Sequence, residues 1–182
     1  MPIYIALLRG INIGPHKRIK MEKLCASCEG LGFTNVKTYI QSGNVIFSAG
    51  KVSSGALSKK MGECIVRDFG FSADVISRTG DEMKRIIDDN PFTKERGIDL
   101  SKLHVVFLPH APAPTALKKL QELTLGPDRT RPSGNEIYFY FPNGVSGSSL
   151  WKHPLDKVLS VAGTMRNWNT VNKLYEMARD LE

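Results

Sequence analysis

At 182 residues, 41% hydrophobic and 24% charged, the chain lacks the composition of a disordered or fibrous protein and is long enough to bury a core without staples. No apolar run approaches the roughly 18 residues of a membrane span, and three cysteines with no Asn-x-Ser/Thr acceptor do not read as a secreted disulfide framework, so a cytoplasmic protein without a membrane partner is expected. The net charge of +7 is uneven: residues 1–79 carry 11 Lys/Arg against 5 Asp/Glu, and residues 80–182 carry 14 against 13. That asymmetry fits an anionic partner for the first half, or a merely solvated basic face.

Ile3 to Leu8 is an unbroken apolar run, the pattern of a strand with neighbours on both sides. After the loop Arg9 to Lys20, the residues Met21, Leu24, Cys25, Cys28 and Leu31 fall on one helical stripe, which turns both cysteines inward. Gly32 ends that helix, with Phe33 as the apolar contact of the cap. Val36 to Gln41 and Asn44 to Ser48 predict a hairpin around Ser42-Gly43. A second helix presents Leu57, Met61, Cys64 and Ile65, stops at Gly70-Phe71, and leads into a strand over Asp74 to Arg78.

Thr79-Gly80-Asp81-Glu82 is a capping box for a short helix bearing Met83, Ile86 and Ile87 and closed by Asn90-Pro91. Past a connector over Pro91 to Ser101 the order repeats. Leu103 to Leu108 is the apolar strand, Pro114 to Leu123 the helix and Ile137 to Phe141 the third strand. A second helix over Ser148 to Val161 and a strand near Thr164 to Asn167 complete the set. The last helix, capped by Asn169 or Thr170, has Val171, Leu174, Tyr175, Ala178 and Leu181 as its stripe.

Ser42-Gly43-Asn44-Val45-Ile46-Phe47 is echoed 91 residues later by Ser133-Gly134-Asn135-Glu136-Ile137-Tyr138. The fold class predicted is therefore α+β, with two tandem ferredoxin-like βαββαβ units, each followed by a helix. The division falls at residues 1–90 and 91–182.

In a ferredoxin-like sheet the order 4-1-3-2 brings the exit of strand 1 beside the turn between strands 2 and 3. The loop Arg9 to Lys20 then meets the hairpin Tyr39-Ile40-Gln41-Ser42-Gly43-Asn44. This rim offers Arg9 as a bidentate fork for an anion, Lys17, Arg18 and Lys20 as mobile charges, and Asn12, Gln41 and Asn44 as amides. Its glycines allow backbone N–H groups to approach a ligand. The same residues also read as plain turn chemistry, with asparagines bonding their own backbone and lysines in water. Arg-Gly-x-Asn-x-Gly is neither a P-loop nor a dinucleotide fingerprint.

The strings Tyr4-Ile5-Ala6-Leu7-Leu8-Arg9-Gly10-Ile11-Asn12-Ile13-Gly14, Gly32 to Phe47, Asn90-Pro91-Phe92 and Arg166-Asn167-Trp168-Asn169-Thr170-Val171 together resemble the bacterial family called domain of unknown function 1697. The resemblance implies paired ferredoxin-like halves and no activity, cofactor or catalytic set. It adds weight to the two rim loops and to the segment around Trp168. Pro15 and Ser149 depart from the family pattern, which favours glycine and lysine there.

Other motifs fail. Cys25-Ala26-Ser27-Cys28 has redox spacing but lies within a helix, away from the N-terminus that would depress a thiol pKa. His16, His104, His110 and His153 show no metal-ligand spacing. Tyr138 and Tyr140 share the sheet face on which RNA-recognition modules carry stacking aromatics, a face the trailing helix or the other half can cover. The residues thus point to binding of a phosphate-bearing anion, either single-stranded nucleic acid or a nucleotide-like molecule. The expected contacts are Arg9, Asn12, Lys20, Tyr39, Gln41, Ser42 and Asn44, with Arg166 and Trp168 as secondary candidates, and no metal or cofactor. The alternatives are an enzyme acting on a phosphorylated small molecule at the same rim, or a protein-interaction module.

Overall fold

All six residues of β1, Ile3–Leu8, are buried, as an apolar run without polar alternation requires. β1 pairs antiparallel with β3, Asn44–Ser48, and with β4, Val75–Thr79, while β2, Thr34–Tyr39, lies on the far side of β3. The order β2-β3-β1-β4 is the ferredoxin-like one. Two helices, α1 over Met21–Gly30 and α2 over Ser54–Phe69, supply the apolar stripes that close the core. Tyr4, Ala6 and Leu8 of β1, with Val45 and Phe47 of β3, pack with Leu24 and Cys28 of α1 and with Leu57, Met61 and Ile65 of α2. Ser53 Oγ accepts the Ala56 N–H at 3.2 Å to open α2, and Gly70 closes it at φ +76°.

The second sheet repeats the plan. β5, Leu103–Phe107, is flanked by β7, Glu136–Tyr140, and β8, Thr164–Asn167, with β6, Arg129–Ser133, at the edge, giving β6-β7-β5-β8 with every pair antiparallel. α4, Pro114–Glu122, and the short α5, Leu155–Leu159, accompany it, and Val106, Leu120, Ile137, Phe139, Phe141 and Leu159 form its core. α3, Gly80–Asp88, and α6, Trp168–Arg179, are the trailing helices. α3 carries the expected capping box: the Glu82 N–H donates to Thr79 Oγ1 at 3.1 Å and the Thr79 N–H to Glu82 Oε2 at 2.7 Å.

This computed structural model describes residues 1–123 and 125–182. Its two packing units are Met1–Arg85 with Lys173–Glu182, and Ile86–Asn172. They differ in two places from a division at residue 90: Ile86–Asn90 goes with the second unit and the last ten residues with the first.

Five local readings of the sequence change. The β2–β3 connection is a four-residue loop, Ile40–Gly43, because Tyr39 pairs with Asn44. The Asn44 amide bridges that loop, donating to Tyr39 O and Ser42 Oγ, both at 3.0 Å. In the second unit Ser133 pairs with Glu136, so the true spacing of the repeat there is 92 residues, with Ile46 corresponding to Tyr138 opposite Ile5 and Val105. The helix expected over Ser148 to Val161 is reduced to α5, preceded by 3-10 turns at Val145–Gly147 and Ser149–Lys152. Pro154, which has no N–H and clashes with the preceding turn, prevents a continuous helix. Finally, Asn167 caps α6 in place of Asn169 or Thr170, accepting the Thr170 N–H at 2.8 Å, and Cys25 is half-buried where Cys28 is fully so.

Candidate functional site

The exit of β1 is fastened to the β2–β3 loop at the backbone. The Leu8 N–H donates to Gly43 O at 2.7 Å, and the next amide, of Arg9, donates to Asp74 O at 2.9 Å beside β4. Only glycine fits at position 43. Its φ is +84°, and a Cβ there would sit 2.7 Å from Leu8 Cβ and 2.8 Å from Ile11 Cδ1.

Asn12 completes the junction. Its Nδ2 donates to Gln41 O at 2.8 Å and to Ile19 O at 3.0 Å, its Oδ1 accepts the Ile19 N–H at 2.9 Å, and its own N–H donates to Lys17 O at 3.0 Å. Residues 12–19 are thereby closed into a ring and tied to the hairpin. Ile11 and Ile19 anchor the ring in the core, which leaves 13–18 exposed. Lys17 Nζ donates to Ser72 O at 2.9 Å and fixes the outer side of the loop.

Between the ring, the hairpin and α1 lies an open groove of about 660 Å³, lined among others by Asn12, Arg18, Lys20, Glu22, Lys23, Gln41 and Phe69. Lys20 is the N-cap of α1, and no side chain caps the helix there. The amides of Met21, Glu22 and Lys23, which have no carbonyl one turn back to bond, therefore lie at the groove with the positive end of the helix dipole. Three cations and these N–H groups face one carboxylate, that of Glu22, in the lining.

The expected contacts distribute unevenly. Arg9, Asn12, Lys20, Gln41 and Ser42 belong to the two joined loops, and Tyr39 and Asn44 are the strand residues that flank the hairpin loop, but only Asn12, Lys20 and Gln41 line the groove. The Arg9 guanidinium lies 3.8 Å from the Asp74 carboxylate, with 36% and 67% of the side chains exposed. This is a loose, solvated pair that offsets part of the arginine's charge. The Asn12 amide is occupied at both ends, and Asn44 is buried inside the hairpin, where its amide bridges Tyr39 and Ser42. Turn chemistry and site chemistry thus coexist: the asparagines build the rim that the cations line.

Arg166 and Trp168 lie in the second unit, and both are buried. Arg166 Nη1 donates to Thr164 Oγ1 at 2.7 Å and to Met165 O at 2.9 Å, and burial draws its guanidinium down to about 10, still charged at neutral pH. Neither side chain offers a surface to a ligand. Tyr138 is buried as well, its hydroxyl donating to Ile86 O at 2.8 Å, and Tyr140 is half-buried with its ring beside Phe92. The thiols behave as core: burial pushes Cys28 up to about 12 and Cys64 up to about 11.

Sequence reasoning did not single out Lys23, Glu22 or Phe69. The first two had a signal, a helix that begins at Met21 without Ser, Thr, Asp or Asn before it. Phe69 had none, because only the packing of the end of α2 brings it to the groove. The corresponding junction of the second unit is fastened alike, with the Leu108 N–H donating to Asn135 O at 2.9 Å. Its loop, Pro109 to Ala113, carries no lysine or arginine.

A family described as Protein of unknown function (DUF1697) matches residues 1–138. Among solved structures, the chain resembles the conserved bacterial protein SP0830 from Streptococcus pneumoniae, with a TM-score of 0.76 at 22% identity, covering 97% of this chain and 98% of that one. At that identity the likeness speaks for the fold. No curated protein matches. Among the described residues no helix is long and apolar enough to cross a membrane.

Proposed function

Because the chain belongs to the family Protein of unknown function (DUF1697), which brings no activity with it, we propose a function from the groove itself: the first unit binds a phosphate-bearing ligand there. One observation carries the reading. Arg18, Lys20 and Lys23 converge with the uncapped start of α1 on a single concavity of about 660 Å³, within the size range of small-ligand sites. Helix N-termini hold phosphate because the free N–H groups and the dipole act on the same anion. The lysines and arginine add charge, and the Gln41 side chain adds an amide. The absence of lysine and arginine from the matching loop of the second unit confines this chemistry to one half.

Pyrophosphate titrated into the labelled protein at low salt, followed by amide NMR, is expected to shift Met21, Glu22 and Lys23. Replacing Arg18 and Lys20 by alanine together should weaken binding by at least about tenfold, the loss of one or two charge-assisted hydrogen bonds. Unchanged affinity in that double variant, or shifts confined to the second unit, would remove the groove from consideration.

A further inference from the structure

Two exposed isoleucines flank the hydrogen bond that joins the loops. Ile13 follows Asn12 and is 76% exposed, and Ile40 precedes Gln41 and is 49% exposed. Ile40 also stands at φ +49°, a left-handed conformation that a β-branched residue enters only at an energetic cost. Glycine or asparagine would serve that turn better, yet the position holds a strained aliphatic side chain with half its surface in water. A bare phosphate seated in the groove leaves both isoleucines unused, and the single base of a nucleotide can meet only one of them.

Resting on the reading above, we propose that the ligand is a single strand of nucleic acid. One backbone phosphate occupies the groove, and Ile13 and Ile40 pack against the bases on either side of it. Aliphatic side chains placed among cations act in this way elsewhere, as wedges against base faces. The half-buried Phe69 at the groove wall offers a ring to a base, and the amide of Gln41 can bond a base edge. A folded protein partner would need about 800 Å² on each side, far more than two lone side chains on loop tips supply. An anionic membrane surface could take up the isoleucines and the charges, but it has no use for a concavity lined with amides. The excess of positive charge in the first half of the chain agrees with an extended polyanion.

The test compares the wild-type chain, Ile13→Ser with Ile40→Gly, and Arg18→Ala with Lys20→Ala, in three titrations: fluorescent oligo-dT by anisotropy, pyrophosphate by amide NMR, and phosphatidylglycerol vesicles by co-sedimentation. Ile40→Gly relieves the backbone strain, so that variant should keep its fold, which circular dichroism checks. Oligo-dT is expected to bind wild type with a log-log salt slope of about −0.7 for the one phosphate seated in the groove, and steeper by about as much for each neighbouring phosphate the cations also neutralise. The isoleucine variant should bind oligo-dT about tenfold or more weakly while its pyrophosphate shifts stay unchanged. Oligo-dT affinity that is indifferent to the isoleucines, or absent while pyrophosphate still binds, overturns the nucleic-acid assignment and leaves the phosphate groove standing. Isoleucine-dependent capture by vesicles without oligo-dT binding also overturns it. Failure of all three ligands removes both readings.

Discussion

Asn12 serves a bound anion indirectly, since both ends of its amide are engaged by the chain. It holds the Ile19 and Gln41 backbones and so sets the width of the groove. Asn12→Ala removes three hydrogen bonds and leaves partly buried groups unpaired, so unfolding in urea should show a loss of about 2–3 kcal/mol, with weaker pyrophosphate binding alongside. A second residue-scale effect concerns the core thiols. Both hold their protons above the ordinary value of 9 in the folded state, so between pH 9 and 10 the unfolded chain releases protons that the native chain keeps. Stability therefore falls as pH rises through that window, by up to about 1.4 kcal/mol per buried thiol, and Cys28→Ala should flatten the profile measured by urea titration at each pH. At this scale the sequence was only half legible. That Asn12, Gln41 and Asn44 mark turns follows from residue type, but whether their amides face a ligand or the chain depends on partners as far as 29 residues away.

Elements with strong local signals matched their sequence reading. The unbroken run of β1, the α2 stripe with its terminal glycine, and the Thr79–Glu82 box each follow from chemistry within one or two turns of chain. The exceptions have local causes of another kind, such as Pro154 cutting a helical pattern short, or a four-residue hairpin loop bridged by the Asn44 amide. α1 shows how an element can be stable yet incomplete. Its stripe reaches the core, but its first turn lacks a capping side chain. Lys20→Asp would supply one, and two opposite effects are expected: about 0.5–1 kcal/mol of added stability in urea, and loss of at least about tenfold in pyrophosphate affinity, because the carboxylate competes for the same N–H groups. A gain in both, or no change in binding, would argue that no anion is held at that helix end.

For the whole molecule, the duplication was legible from six residues of turn and strand, although its register was not: the echo at 91 residues is one short of the structural correspondence, because equal turn motifs close loops of different length. Which residues complete which unit could not be read from the sequence at all, since this depends on where α6 leads the chain. Its later turns, with Leu174 and Ala178 fully buried, are packed with residues 1–85. This has a consequence for birth on the ribosome. Everything the second unit needs is translated before Lys173, whereas the earlier-made half must wait for the ten residues that follow. The usual N-to-C order of domain folding during synthesis should therefore be inverted. Chains stalled with residue 172 just outside the exit tunnel are expected to resist protease across Ile86–Asn172 while the segment before Arg85 is still cleaved, and release of the remaining stretch should close it.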